Sequence, residues 1–267
     1  MTASATRYRS HDLGIHASNP HCRLAFRWKW DYRLEMGHVT KIARWCVDRF
    51  DQILVTTVLA WVSAIAVLWT GLLILKAYPF YFPPNFEIGF LRGRESYFYG
   101  LYAAAFFLHI VTTPLVLVLG LLQLNHRIRV RWPALHRRMG KTYVGLVLAC
   151  VAPSGLIMSL RAPYGYGAIS GFAVLSVATW IATMLGWKRA ASGRFDSHRQ
   201  WMWRSYLLIC SAVLLRILAV LATDLQLTAS TAYPIAAWAS WLPSLAIFEL
   251  ITRWQTNEIS RANESSD

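Results

Sequence analysis

Acid is what this chain has least of: 13 Asp and Glu stand against 27 Lys and Arg in 267 residues. Glu249 is the one carboxylate inside any of the long apolar runs, so the chain offers no carboxylate pair in a helix for ion coupling or acid–base work. Cysteine is equally thin. Cys22, Cys46, Cys150 and Cys210 form no CxxC pair and two of them fall within apolar runs, which supports neither a disulfide framework nor a zinc knuckle. The sequence contains no GxSxG elbow, no P-loop and no HExxH, leaving hydrolysis and group transfer without a recognisable motif. The N-terminal stretch is polar and basic and lacks an apolar core, so no cleavable signal peptide is expected.

What is abundant is apolar surface. Hydrophobic residues make up 56% of the chain and 13 residues are Trp. Ile53 to Leu75 carries no charge and, at about 1.5 Å per helical residue, is long enough to cross a hydrocarbon layer about 30 Å thick. Further runs occupy Tyr97 to Leu124, Thr142 to Leu160, Tyr166 to Trp187, Ser205 to Thr223 and Ala232 to Ile251. In lipid each must satisfy its own backbone polar groups, and only a helix does so within one segment. The expectation is an all-α, polytopic membrane helical bundle with six transmembrane helices. A soluble protein would need buried helices of this length, apolar all round, six times over.

The positive charge is segregated. Asn125 to Lys141 carries six Lys or Arg, Lys188 to Arg204 carries five and the first fifty residues carry nine, whereas the opposite side has only Lys76, Arg92, Arg94 and Arg161. The positive-inside bias puts the N and C termini in the cytoplasm and the protein in the bacterial cytoplasmic (inner) membrane. The net charge of +14 then belongs to topology and to anionic lipid headgroups at the cytoplasmic face, with no nucleic acid as partner and room for a membrane-protein partner. Three regions follow: a basic N-terminal segment over 1–50, a membrane domain over 51–252 and a polar tail over 253–267. Within the first, Val39, Ile42, Ala43, Cys46, Val47 and Phe50 recur at helical spacing, which suits an interfacial helix.

Two His-Arg pairs stand at equivalent places, His136-Arg137 and His198-Arg199, each in a basic connection just ahead of an apolar run. Their separation of 62 residues accommodates one helix out, a short turn at Arg161 to Gly165 and one helix back, so both imidazoles fall at one depth on one face. Interfacial anchoring beside Trp132, Trp201 and Trp203 would be met by the arginines alone; a histidine at both sites points to ligand or metal chemistry. His11, His16, His21, His38 and His126 lie in polar tails or loops and read as solvated.

The ordered set Leu108-His109, Gly120 with Gln123, His136-Arg137-x-x-Gly140-x-x-Tyr143, His198-Arg199-x-Trp201-Met202-x-Arg204-Ser205-Tyr206 and Leu215-Arg216 resembles a bacterial integral-membrane family, the domain of unknown function DUF2306. The resemblance covers roughly residues 100 to 220. It implies an integral membrane protein patterned on His and Arg, and no particular activity.

The residues least at home in lipid are His109 and Arg216. His109 lies twelve residues beyond Tyr97 and Arg216 twelve beyond Arg204 from the opposite face, each about 18 Å along its helix and near the bilayer centre. An ionisable group there is a functional candidate by default. For Arg216 the structural alternative is a reach toward Glu249 or toward carbonyls freed by proline: Pro114 releases that of Ile110, and Pro243 that of Ala239. For His109 it is an interhelical hydrogen bond. The candidate ligand-binding set is therefore His109, His136, His198, Arg216, Arg137 and Arg199. His136, His198 and His109 are the metal ligands if haem or another metal is bound.

Three functions compete. The first is a membrane redox protein in which histidines ligate haem b and arginines hold propionates or a quinone. Paired histidines at matched depth within helices are missing, so two haems are not expected. The second is a small-solute permease with a midplane site at His109 and Arg216 and Pro-interrupted helices. The third is a noncatalytic assembly protein that docks a partner through its basic face. The aromatic, Pro-rich connection Tyr78 to Tyr99, with Glu87 and Glu95, is placed to cap a pocket on the far side.

Overall fold

The computed structural model describes residues 62–87 and 89–264. The chain divides into Met1–Trp61 and Val62–Asp267, and every described residue belongs to the second unit. The expected interfacial helix over 39–50, the beginning of the first apolar run and the four N-terminal histidines lie outside the described residues.

Six helices among the described residues are long and apolar enough to cross a membrane. They are α1 (Val62–Phe80), α2 (Leu101–Leu124), α3 (Pro133–Ser159), α4 (Tyr166–Ala191), α5 (Phe195–Asp224) and α6 (Ala229–Trp254). No strand occurs among the described residues beyond one isolated bridge between Tyr81 and Pro84. This is the all-α bundle expected from the apolar runs.

The helix starts differ from the sequence expectation in an informative way. The apolar runs suggested that α3 and α5 begin at residues 142 and 205, with His136 and His198 in loops ahead of them. Both helices begin about ten residues earlier, at Pro133 and Phe195, so the two histidines lie in the first turns of helices. Pro133 explains the first case, because its fixed φ and missing N–H suit the first helical turn. Hydropathy sees where a helix enters lipid; backbone hydrogen bonding continues past that point into water.

Three of the spans are interrupted. In α3 a π turn occupies Val147–Val151, immediately before Pro153, where the missing N–H and the ring's bulk disfavour regular α geometry. In α5 the regular helix stops at Ile209 and restarts at Ser211. In α6 it ends at Ala239 and resumes at Leu242, with Pro243 in the first turn of the new segment. The expected release of a carbonyl at Pro114 in α2 has a direct answer, since the Tyr78 hydroxyl donates to the Ile110 carbonyl at 2.6 Å.

The principal core lies in the half of the bundle nearer the Lys- and Arg-rich connections. Val116, Leu117, Tyr143, Val147, Tyr206 and Ile209 are buried there on α2, α3 and α5. A second cluster of Leu91, Phe98, Tyr102 and Phe106 folds the connection between α1 and α2 back onto α2, with Phe90 stacked on Phe106 at 5.6 Å between centroids.

A candidate ligand cavity within the membrane domain

Between these two clusters the helices leave a cavity of about 620 Å³. Its walls come from α1 to α6 and from the folded-back connection, which contributes Tyr81, Phe90 and Arg94, so the segment placed by sequence to cap a pocket does line one. The walls are mainly apolar. None of the lining residues described is Asp or Glu, yet His109, Arg216 and Arg94 all belong to the lining.

Arg216 is the decisive group. One guanidinium nitrogen donates to the Ala212 carbonyl at 2.8 Å, one turn back along its own helix. The reach to Glu249 considered from sequence is ruled out by a competitor. Arg204 holds that carboxylate with Nε at 2.5 Å and Nη2 at 3.0 Å, while its guanidinium lies over Trp201 at 4.7 Å. The charge of Arg216 is instead felt at His109 and Tyr81 across the cavity. Burial lifts the Tyr81 phenol above the ordinary tyrosine range, with Arg216 and then Arg94 pulling the other way. A charged group in apolar surroundings is tolerated when a partner offsets its lost hydration.

The Arg204–Glu249 pair is itself testable. Arg204→Met should destabilise the fold by about 2 kcal/mol by leaving Glu249 uncompensated, and Arg204→Met with Glu249→Gln should recover most of it, measured as a double-mutant cycle on thermal unfolding in detergent.

His109 is positioned by α3. Its Nδ1 is 3.0 Å from the Ser154 hydroxyl, and that hydroxyl donates to the Val151 carbonyl at 3.1 Å, at the end of the π turn. Gly155 permits the approach, since a Cβ there would lie 3.3 Å from Cε1 of His109 and 3.0 Å from the Ser176 hydroxyl. Two further hydroxyls on the cavity wall, those of Thr113 and Ser240, are buried with no partner among the described residues. Thr113 precedes Pro114 in α2, and Ser240 lies in the break of α6. At the far rim Arg94 donates to the Phe90 carbonyl and lies over the Phe90 ring.

The other sequence candidates gather elsewhere. His136 and His198 are within electrostatic reach of each other near the basic connections, and neither lines the cavity. His198 Nδ1 is 2.9 Å from the Gly186 carbonyl. His136 has a buried Nδ1 with no partner among the described residues, while its carbonyl accepts from Gln123 at 2.9 Å. Arg137 is exposed, and exposed Arg199 pairs with Asp196 at 2.7 Å. Among the described residues no group of three or more His, Cys, Asp or Glu is arranged to hold a metal ion.

Most of the remaining motif residues form one packed seam. Tyr143 shares a hydrogen bond with Ser205 at 2.9 Å, and Ser205 with Thr183 at 2.7 Å. Tyr206 donates to the Leu117 carbonyl at 3.2 Å, and Gly120 lies directly beneath the rings of Tyr206 and Tyr143. Sequence reasoning gave no separate weight to Tyr81, Ser154, Ser176, Thr113 or Ser240. The prolines at 114, 153 and 243 were the available signal, because helix irregularity is where side chains and backbone become free to face a cavity.

Bundle and cavity together define a polytopic helical membrane protein with a mainly apolar chamber that carries His109, Arg94 and Arg216 in its lining. The model of the family described as predicted membrane protein (DUF2306) matches residues 106–252, and the chain belongs to that family. No curated protein and no solved structure matches it.

Proposed function

We infer that this protein binds, inside the membrane, an apolar ligand whose polar end carries an oxygen acceptor for Arg216. The observation that carries this reading is a guanidinium with no carboxylate partner among the described residues, on the wall of a mainly apolar cavity of about 620 Å³. An anionic or carbonyl oxygen supplies the compensation that the protein does not, and the apolar walls take the body of the molecule.

Haem b and a quinone both belong to this class, and the redox reading rests on them. For haem, His109 would hold the iron and Arg216 and Arg94 would be available to the propionates; His136 and His198 lie outside the cavity lining. Purification in mild detergent tests both members. Haem gives a Soret band, and a quinone appears in the organic extract by mass spectrometry. Retention of either should fall at least tenfold in Arg216→Leu, and retention that ignores this substitution would overturn the reading.

The broken helices α5 and α6 beside the cavity favour a second reading, a permease for a small anion, because discontinuous spans line transport sites in many carriers. Uptake by proteoliposomes that depends on Arg216 would select it. In either case the charge bias argues for the basic connections facing the cytoplasm of a bacterial inner membrane, against anionic headgroups and any membrane-protein partner.

A further inference from the structure

The contacts behind His109 favour one tautomer. When the single hydrogen of the Ser154 hydroxyl goes to the Val151 carbonyl, the hydroxyl accepts toward His109, so both contacts are made together with N–H at Nδ1. That arrangement leaves Nε2 of the neutral ring with its lone pair. His109 is thus an acceptor lining the cavity, set against the donor Arg216.

A ligand that satisfies both must offer a hydroxyl to Nε2 and an oxygen acceptor to Arg216. An oxidised quinone has only acceptors, and a fully ionised headgroup has no proton to give. Building on the reading of the cavity as a ligand site, we propose that its preferred occupant is a hydroquinone, a phenolic ring on an apolar tail, with His109 taking the hydroxyl hydrogen bond and Arg216 an oxygen of the same ring. Ser154 acts as a positioning residue through the imidazole.

The test uses the full chain in detergent micelles and four probes: a decyl-chain hydroquinone, its oxidised quinone, its dimethyl ether and dodecyl phosphate. Binding is followed by calorimetric titration. The hydroquinone should bind at least tenfold tighter than the ether or the oxidised quinone. His109→Leu should shrink that preference to under threefold, while His109→Gln, which keeps an acceptor, should retain most of it. Ser154→Ala should reduce the preference without abolishing binding, and it carries the test should His109→Leu fail to fold. Equal binding of hydroquinone and ether overturns the proposal, as does a preference that survives both His109→Leu and Ser154→Ala, or a haem iron found on Nε2. If dodecyl phosphate alone binds and its binding depends on Arg216, the hydroquinone assignment falls while the cavity reading stands. If no probe binds in an Arg216-dependent way, both fall.

Discussion

Replacing Gly120 with alanine is expected to lower the stability of the fold by about 3 kcal/mol, the upper end of the usual range for overpacking. A Cβ at this position would run into the Tyr206 ring and come within 3.1 Å of Cε2 of Tyr143. Neither ring can step aside at little cost. Tyr143 is 1% exposed and hydrogen-bonded to Ser205, and Tyr206 is 5% exposed and donates to the Leu117 carbonyl on the same helix as Gly120. The strain must therefore go into separating α2 from α3 and α5. Gly145→Ala is the matched control, because a Cβ there meets nothing within 4 Å and helix propensity favours the change by up to about 1 kcal/mol. Thermal unfolding in detergent should show Gly120→Ala melting well below the wild type, with Gly145→Ala at or above it. In a Tyr206→Ala background the extra loss from Gly120→Ala should largely vanish, since the colliding ring is gone. Equal melting of the two alanine variants would mean that this seam is not as close as described.

Arg216→Leu should weaken ligand binding about a hundredfold, equivalent to about 2.7 kcal/mol. That is the size expected for losing a charge-assisted hydrogen bond in apolar surroundings. The same substitution should leave the melting temperature unchanged or raise it, because the described partner of the guanidinium is a carbonyl on its own helix. This opposite pair of outcomes separates a ligand role from a structural one. A purely structural arginine would lower stability on removal and change binding only through misfolding. Measuring binding and unfolding on one preparation distinguishes the two, and a large loss of stability with unaltered affinity per folded molecule would sink the ligand reading.

The sequence by itself determined the class of fold. Runs of about twenty apolar residues have one stable form in lipid, so number, order and approximate position of the helices followed from hydropathy and backbone hydrogen bonding alone. It also placed His109 and Arg216 well inside their helices, since position along a helix is fixed by its rise per residue. The family motif was legible as a list but not as a structure. Folded, it splits in three: Gly120, Tyr143, Ser205 and Tyr206 pack a seam, Gln123 bonds the backbone of His136, and His109, Leu215 and Arg216 line the cavity.

Tertiary structure decided which charges are paired. Glu249 is reachable on paper by either Arg204 or Arg216, and a linear sequence cannot choose between them. The packing of α5 against α6 chose Arg204 and left Arg216 to the cavity. It also decided that the far-side connection folds inward through Phe90 and Phe98, and that Ser154 holds Nδ1 of His109. Periodicity reports which face of one helix is apolar; what meets that face depends on the rotation and break points of its neighbours, and those are set only when all six helices pack together.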